Sequence, residues 1–369
     1  MTFYLLILLL CMGLAFCYEE FKDDGTLIFG IKKSTQKERY RARIRFACLF
    51  GIFGAMTLTM GLRAVSVGTD TVNYYQTFMD IANGYYSKEL NDSLIFYSSM
   101  QWVIDAGGNF QQWLLLISTV MSLFIVLNLR LSKKPWLFIL LFFVFDYTFK
   151  SMNIMRQMLG MLMISYVLLS PNKNIYRVLL KCIVSGLAIG MHLSVIVFFI
   201  AMLVVSALYK KVDINKQFIL LALVFFILLF CKELIIKLLE EVYPGYINLE
   251  GKLSTDNMVF LIIYSAILIF VNNYRKSEIK GDKIFLQCAN LYVCELAIYS
   301  VYYVNFIERG LIYFNYYLLF LFPYLFTVIK DKRIRQIVYL LIAIALLLIF
   351  VLGHHGGEAI PYAIDAFWK

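Results

Sequence analysis

The amino-acid sequence predicts an all-α polytopic integral membrane protein, because both its composition and its apolar runs suit a lipid environment. Of the 369 residues, 62% are hydrophobic and 16% are charged, whereas soluble domains have roughly 45–50% apolar and 25% charged residues. The apolar runs are as long as helices and do not alternate with polar residues, which excludes an outer-membrane barrel. Helical membrane spans are therefore the expected building blocks.

Twelve apolar runs are long enough to be counted as transmembrane helices. They fall near 2–18, 44–62, 112–129, 136–149, 153–169, 178–191, 193–209, 216–233, 256–273, 284–303, 311–329 and 336–352. The run 94–106 is shorter and more polar, which favours a re-entrant or interfacial helix.

The basic residues predict the orientation of these helices. If both termini lie outside, the loops at 19–45, 130–135, 170–181, 209–216, 274–283 and 330–335 face the cytoplasm. Those loops hold 25 of the 34 Lys and Arg residues, as the positive-inside rule expects. Counting 94–106 as a crossing would reverse every later helix. We therefore predict a single membrane domain over 1–369, with a basic cytoplasmic loop at 19–45 and outer loops at 63–111 and 234–255.

The charge and the cysteines exclude other classes of protein. The net charge of +10 comes mostly from the predicted cytoplasmic loops, so it does not indicate a nucleic-acid partner. All seven cysteines fall inside apolar runs and none forms a CxxC pair, so we expect no disulfide framework, no metal site and no cofactor.

Arg156 is the most unusual residue, because it opens the apolar run 153–169. An arginine inside a span costs about 2.5–3.5 kcal/mol on insertion scales. It could snorkel to the headgroups along its alkyl stem. The neighbouring Gln157 and nearby Asn153 instead favour a polar cavity, in which a guanidinium offers forked donors suited to phosphate oxygens.

Further polar candidates lie at the predicted outer ends of the spans. In "LRAVSVGTDTVNYYQTF" (62–78), a turn at Gly68 precedes an aromatic set, although helix capping also explains the polar pair Thr69 and Asp70. His192, in "GLAIGMHLSV", sits at a helix junction where a structural role competes with catalysis. Glu308 and Arg309 stand between two spans and could equally be an interfacial ion pair.

The order of these pieces resembles the EpsG family. The shared features are an arginine leading into "VGTDTVNY", an "MRQ" opening a later span, a "GMHLS" junction, "ERG…YF" and a terminal "IPY", over roughly residues 44–365. The resemblance implies a multi-pass protein of the bacterial cytoplasmic membrane that polymerises exopolysaccharide or capsule, as Wzy-type polymerases do. Its substrate would be an oligosaccharide on undecaprenyl pyrophosphate, with a flippase and a chain-length regulator as possible partners.

The resemblance also implies roles for the candidate residues in metal-independent glycosyl transfer. Arg156, then Arg309 and Arg63, would bind the pyrophosphate, and His192 or Asp70 would activate the acceptor hydroxyl. The remaining residues expected to bind substrate are Gln157, Thr69, Glu308 and the sugar-stacking tyrosines Tyr74, Tyr75, Tyr302 and Tyr303.

Three alternative functions remain open from the sequence. A flippase or other transporter suits twelve spans, yet transporters usually carry internal repeats, which we do not find. A membrane acyltransferase usually needs an early histidine, and the first histidine here is His192. A ligase that moves finished polymer to an acceptor shares nearly all the physics of a polymerase.

Overall fold

The computed structural model describes residues 1–21, 36–85, 93–172, 174–208, 282–301, 305–326, 329–353, 359–360 and 362–364, with isolated positions between 223 and 237. Over these residues the chain is helical and contains no β-strand, which confirms the predicted all-α class. The helices are α1 (Thr2–Glu20), α2 (Gln36–Gly61), α3 (Thr71–Ala82), α4 (Leu94–Asp105), α5 (Phe110–Leu129), α6 (Pro135–Val144), α7 (Tyr147–Asn153), α8 (Met155–Leu169), α9 (Ile175–Met191), α10 (Ser194–Leu208), α11 (Lys283–Val301), α12 (Asn305–Asn315), α13 (Leu318–Leu325) and α14 (Lys332–Leu352).

Four of the described helices, α1, α2, α5 and α14, are long and apolar enough to cross a membrane. A fifth crossing results if α6 and α7, which are bent by 59° at their junction, form one span. The chain is therefore a helical membrane protein. The predicted span 256–273 and most of the predicted span 216–233 lie outside the described residues. The count of twelve and the orientation of the termini stay predictions.

The predicted span 136–149 is divided into two helices by a turn at Asp146. This residue has φ +60°, the left-handed conformation that ends a helix and that few side chains other than Asp and Asn adopt. The run 136–169 thus contains α6, α7 and α8, and the last break lies at Ile154. These two breaks bring the polar start of α8 to the end of the short helix α7.

The described chain forms two compact units, residues 1–196 with 338–369 and residues 197–337. In the first unit α2 packs against α1 and α5, α1 also packs on α6, and α8 packs on α5 and α9. A buried amide joins two of these helices: Asn128 Nδ2 donates to Leu162 O at 2.9 Å. Such a bond between apolar helices satisfies a carbonyl and fixes their register.

An aromatic cluster anchors the short helices α3 and α4 on α5. Trp113 of α5 is fully buried, and its ring lies edge-on to Phe96 of α4 at 5.2 Å and near Phe78 of α3 at 6.4 Å. Its indole Nε1 donates to Ser99 Oγ at 2.9 Å. The 12-residue helix α4 is too short to cross a bilayer, and this cluster sets its position.

In the second unit the predicted span 311–329 is also divided. Helix α12 ends at Asn315 and α13 begins at Leu318, with Pro323 inside α13. Near the end of α12 the ring of Tyr313 stacks on Phe198 at 4.4 Å.

Candidate anion-binding site at the ends of α2, α7 and α8

Arg63 follows the end of α2 and lies against the break between α7 and α8. Its side chain is completely buried. Nη2 donates to Met152 O at 2.9 Å and approaches Met155 Sδ at 3.2 Å, while Nη1 donates to Met60 O. Thr71 Oγ1 lies 3.4 Å from Nε. The guanidinium therefore ties the loop after α2 to the carbonyl end of α7.

The C-terminal residues 362–364 run alongside the same loop. Ala64 N donates to Ala363 O at 2.8 Å, and the Tyr362 hydroxyl donates to Thr59 O at 3.0 Å. Tyr362, from the "IPY" piece of the sequence, thus belongs to the structure that encloses this site.

Burial shifts the pKa of Arg63 downward, because its charged form loses hydration. The pKa falls to about 10, although Tyr4, Tyr362 and Tyr74 act in the opposite direction. A pKa of about 10 still leaves the guanidinium protonated at neutral pH, so the site carries a buried positive charge.

Gly68 makes the turn that brings α3 toward α7. Its φ of +93° favours glycine, and a Cβ placed there would lie 2.5 Å from Asn153 Oδ1 and 3.1 Å from Thr71 Oγ1. Thr69, which is exposed, has its Oγ1 3.5 Å from the same Asn153 oxygen. Asn153 and Thr69, which lie in separate motifs of the sequence, therefore belong to one polar junction.

Arg156 lies in the first turn of α8, one residue after the Met155 sulfur that contacts the buried arginine. It is half-buried, and its Nη1 donates to Tyr97 Oη at 2.8 Å and to Ser93 Oγ at 3.3 Å. The guanidinium carbon also lies 5.4 Å from the centre of the Tyr97 ring. The beginning of α4 thus holds Arg156 through hydroxyl groups. In the part of the chain that the structure describes, neither Arg156 nor Arg63 forms an ion pair with a carboxylate.

Tyr74 joins Asp70 and Arg156 electrostatically. The pKa of Tyr74 is raised to about 12, mainly by burial and further by Asp70, while Arg156 acts to lower it. Asp70 occupies the N-cap position of α3, yet its carboxylate makes no capping hydrogen bond. A capping hydrogen bond therefore does not account for this carboxylate, which is half-buried and raises the pKa of Tyr74.

The two predicted sugar-stacking tyrosines of α3 differ in exposure. Tyr74 is 6% exposed, and its ring lies between Phe96 and Trp113 at 5.4 and 6.4 Å. Tyr75 is 38% exposed and lies edge-on to Phe110 at 5.3 Å. Tyr74 is thus buried in the aromatic cluster, whereas Tyr75 retains an accessible ring.

His192 follows α9 in extended backbone conformation and is half-buried. Two residues earlier, a Cβ on Gly190 would lie 2.3 Å from Ile95 Cδ1, so α9 touches α4 within the turn that holds Arg156. The glycine one turn before, Gly186, faces no described atom within 4 Å and is not part of this contact. The structure therefore places the last turn of α9, which precedes His192, against the beginning of α4.

The remaining sequence-predicted residues are less fully described. Gln157 follows Arg156 and is buried. Glu308 and Arg309 belong to α12 of the second unit, where their backbone but not their side chains are described. Tyr302 and Tyr303 lie outside the described residues. Roles for these five residues remain predictions.

Two site residues escaped the sequence analysis. Ser93 and Tyr97 open α4, the segment judged too short to cross the membrane, and nothing in an amphipathic helix distinguishes a hydroxyl that contacts an arginine from one that faces water. The signal that could have found Tyr97 is its spacing from Gln101, which places both residues on one face of α4.

The fold and the site define a polytopic helical membrane protein with two neighbouring cationic side chains at helix ends. The model of the EpsG family matches residues 46–364. The chain belongs to the EpsG family, which confirms the resemblance seen in the sequence and marks it as a membrane protein associated with exopolysaccharide biosynthesis. Comparison with curated proteins gives no match, and neither does comparison with solved structures.

Proposed function

We propose that this protein is a polysaccharide polymerase of the bacterial cytoplasmic membrane. It transfers a growing glycan from undecaprenyl pyrophosphate to a lipid-linked repeat unit on the outer face. Membership of the EpsG family supports the substrate class, and the predicted orientation supports the side of the membrane.

The observation that carries the proposal is the way Arg156 is held. Tyr97 and Ser93 orient its guanidinium through hydroxyl oxygens, which leave the positive charge in place. An arginine held by a carboxylate would already be neutralised, and a phosphate would have to displace that partner. A fixed, half-buried guanidinium is suited to bind pyrophosphate oxygens and to stabilise the charge that develops on them.

The reaction is a displacement at the anomeric carbon of the growing chain. The acceptor hydroxyl oxygen forms the new bond to that carbon, and the bond between the carbon and the phosphate oxygen breaks, so its electron pair leaves with undecaprenyl pyrophosphate. The acceptor proton passes to a base. Asp70 is our first candidate because its half-buried carboxylate acts electrostatically on Tyr74, as Arg156 also does, and His192 is the second.

Arg63 has a different role in this proposal. All its described contacts are to buried protein groups, and its side chain is completely enclosed. It therefore positions the junction of α7 and α8, and hence Arg156, while its charge adds to the positive potential of the site. Arg309 remains a second candidate for direct pyrophosphate contact.

Deletion of the gene in its host tests the proposal against the alternative of a flippase. A strain without the polymerase should accumulate single repeat units on undecaprenyl pyrophosphate in the outer leaflet, where an externally added glycosidase can reach them. Accumulation in the inner leaflet would point to a flippase instead. Polymer of normal length that remains on its lipid carrier would point to a ligase.

A further inference from the structure

A groove along the exposed face of α4 adjoins the Arg156 site at Tyr97. Its volume is about 270 Å³, and it is lined by Ile81, Leu94, Tyr97, Ser98, Gln101, Trp102 and Asp105. Such a volume is close to the lower end of the roughly 300–1,000 Å³ typical of small-molecule sites. The groove is therefore of a size for a small ligand.

One face of α4 supplies most of this lining. Ser98, Gln101, Trp102 and Asp105 follow one another at spacings of three, one and three residues, which aligns them along one side of a helix. The opposite side is fixed to the protein by buried Phe96 and Met100. The lining side chains are thus presented outward from a helix that cannot rotate.

The chemistry of the groove suits a sugar ring. The indole of Trp102 is 64% exposed and offers a flat apolar face. Beside it, Gln101 Nε2 donates to Asp105 Oδ1 at 2.7 Å, so an amide and a carboxylate stand as a polar pair next to the ring. An exposed aromatic face flanked by planar polar groups matches a pyranose, which has apolar C–H faces and a rim of hydroxyl groups.

Tyr97 connects this groove to the anion site. Its side chain lines the groove, while its hydroxyl accepts the hydrogen bond from Arg156 at 2.8 Å. In a sugar linked to a pyrophosphate, the phosphate oxygen is bonded directly to the anomeric carbon. A sugar subsite must therefore adjoin the phosphate subsite, and a single tyrosine separates the two here.

A lipid surface is a poorer occupant for the same face. Helices that lie on anionic membranes carry Lys and Arg on their polar face. The sequence of α4, "LIFYSSMQWVID", contains neither residue and ends in an aspartate. The negative charge of Asp105 would be repelled by anionic headgroups, whereas it can accept hydrogen bonds from neutral sugar hydroxyls.

We infer that the groove of α3 and α4 is a saccharide subsite that binds a sugar of the lipid-linked substrate next to Arg156. This inference rests on the proposed function for the identity of the ligand. Trp102 provides the stacking face, and Gln101 and Asp105 bind hydroxyl groups.

The test measures binding of the free saccharide to the purified full-length chain. The probe is the oligosaccharide released by mild acid from lipid-linked repeat units of the host, which carries no pyrophosphate. Trp102→Leu keeps an apolar side chain but removes the flat ring, so we expect its Kd to rise about tenfold or more. Phe46→Leu, at an exposed aromatic of α2, is the control and should bind as the wild type does.

One further variant makes the outcome decisive. Trp102→Phe keeps a flat ring and should retain most of the binding, whereas a variant that has misfolded would lose it. Because the probe carries no phosphate, its binding reports on the subsite alone, so a failure of the proposed anion site stays separate from a failure of the subsite. Equal affinity of the wild type and Trp102→Leu, or no binding by the wild type, would overturn the inference.

Discussion

Replacing Arg156 with lysine distinguishes a pyrophosphate-binding arginine from a membrane anchor. Lysine keeps the positive charge and the long apolar stem, so an anchoring side chain should tolerate the change almost fully. It has no planar fork, however, and cannot both hold the Tyr97 and Ser93 hydroxyls and offer paired donors to phosphate. Loss of one charge-assisted hydrogen bond costs about 1.5–3 kcal/mol, which corresponds to a rate about ten- to a hundredfold lower.

The assay is the length distribution of the polymer made by cells that express the variant, measured together with the amount of protein in the membrane. Arg333→Lys is the matched control, since Arg333 is exposed at the start of α14 and should tolerate lysine. Wild-type amounts of long polymer from Arg156→Lys, at normal protein level, would refute the role in pyrophosphate binding.

Three other substitutions test separate parts of the account. Gly68→Ala should lower the thermal stability of the detergent-solubilised protein more than Gly84→Ala does. Both substitutions impose left-handed strain of about 1–2 kcal/mol, but only Gly68→Ala also forces close contacts. Equal losses of stability would contradict the tight junction at Gly68. Asp70→Asn should reduce polymer at an unchanged protein level, because an amide cannot take up the acceptor proton as a carboxylate can; full activity would remove Asp70 as the base. In a cysteine-free background, Ser66→Cys should react with an impermeant thiol reagent on intact cells and Ser34→Cys should not, and the reverse pattern would invert the predicted topology.

Hydropathy predicted the long helices well, because the length of an apolar run is set by the membrane itself. The predicted runs 2–18 and 112–129 correspond to Thr2–Glu20 and Phe110–Leu129. The charged residues Asp146 and Lys150 do indicate a break in the run 136–169, and the structure turns at Asp146. Hydropathy did not predict the break between α12 and α13, because residues 311–329 read as one apolar run.

The sequence predicted the arginines of the candidate site but not the residues that hold them. Arg63 and Arg156 stood out because charged residues at the ends of apolar runs are unusual. Their partners did not, since Tyr97 and Ser93 are ordinary residues of an amphipathic helix. The C-terminal pairing of Ala363 with Ala64 joins positions almost 300 residues apart, and no local periodicity encodes such a contact.

The most direct test of the central claim is polymerisation by the purified protein in liposomes, with lipid-linked repeat units as the only substrate. The account predicts a ladder of glycans that lengthens with time, and one undecaprenyl pyrophosphate released for every linkage formed. Arg156→Lys at equal protein should slow this ladder about ten- to a hundredfold. Repeat units that cross the bilayer without joining, or that stay unchanged with correctly folded wild-type protein, would contradict the claim.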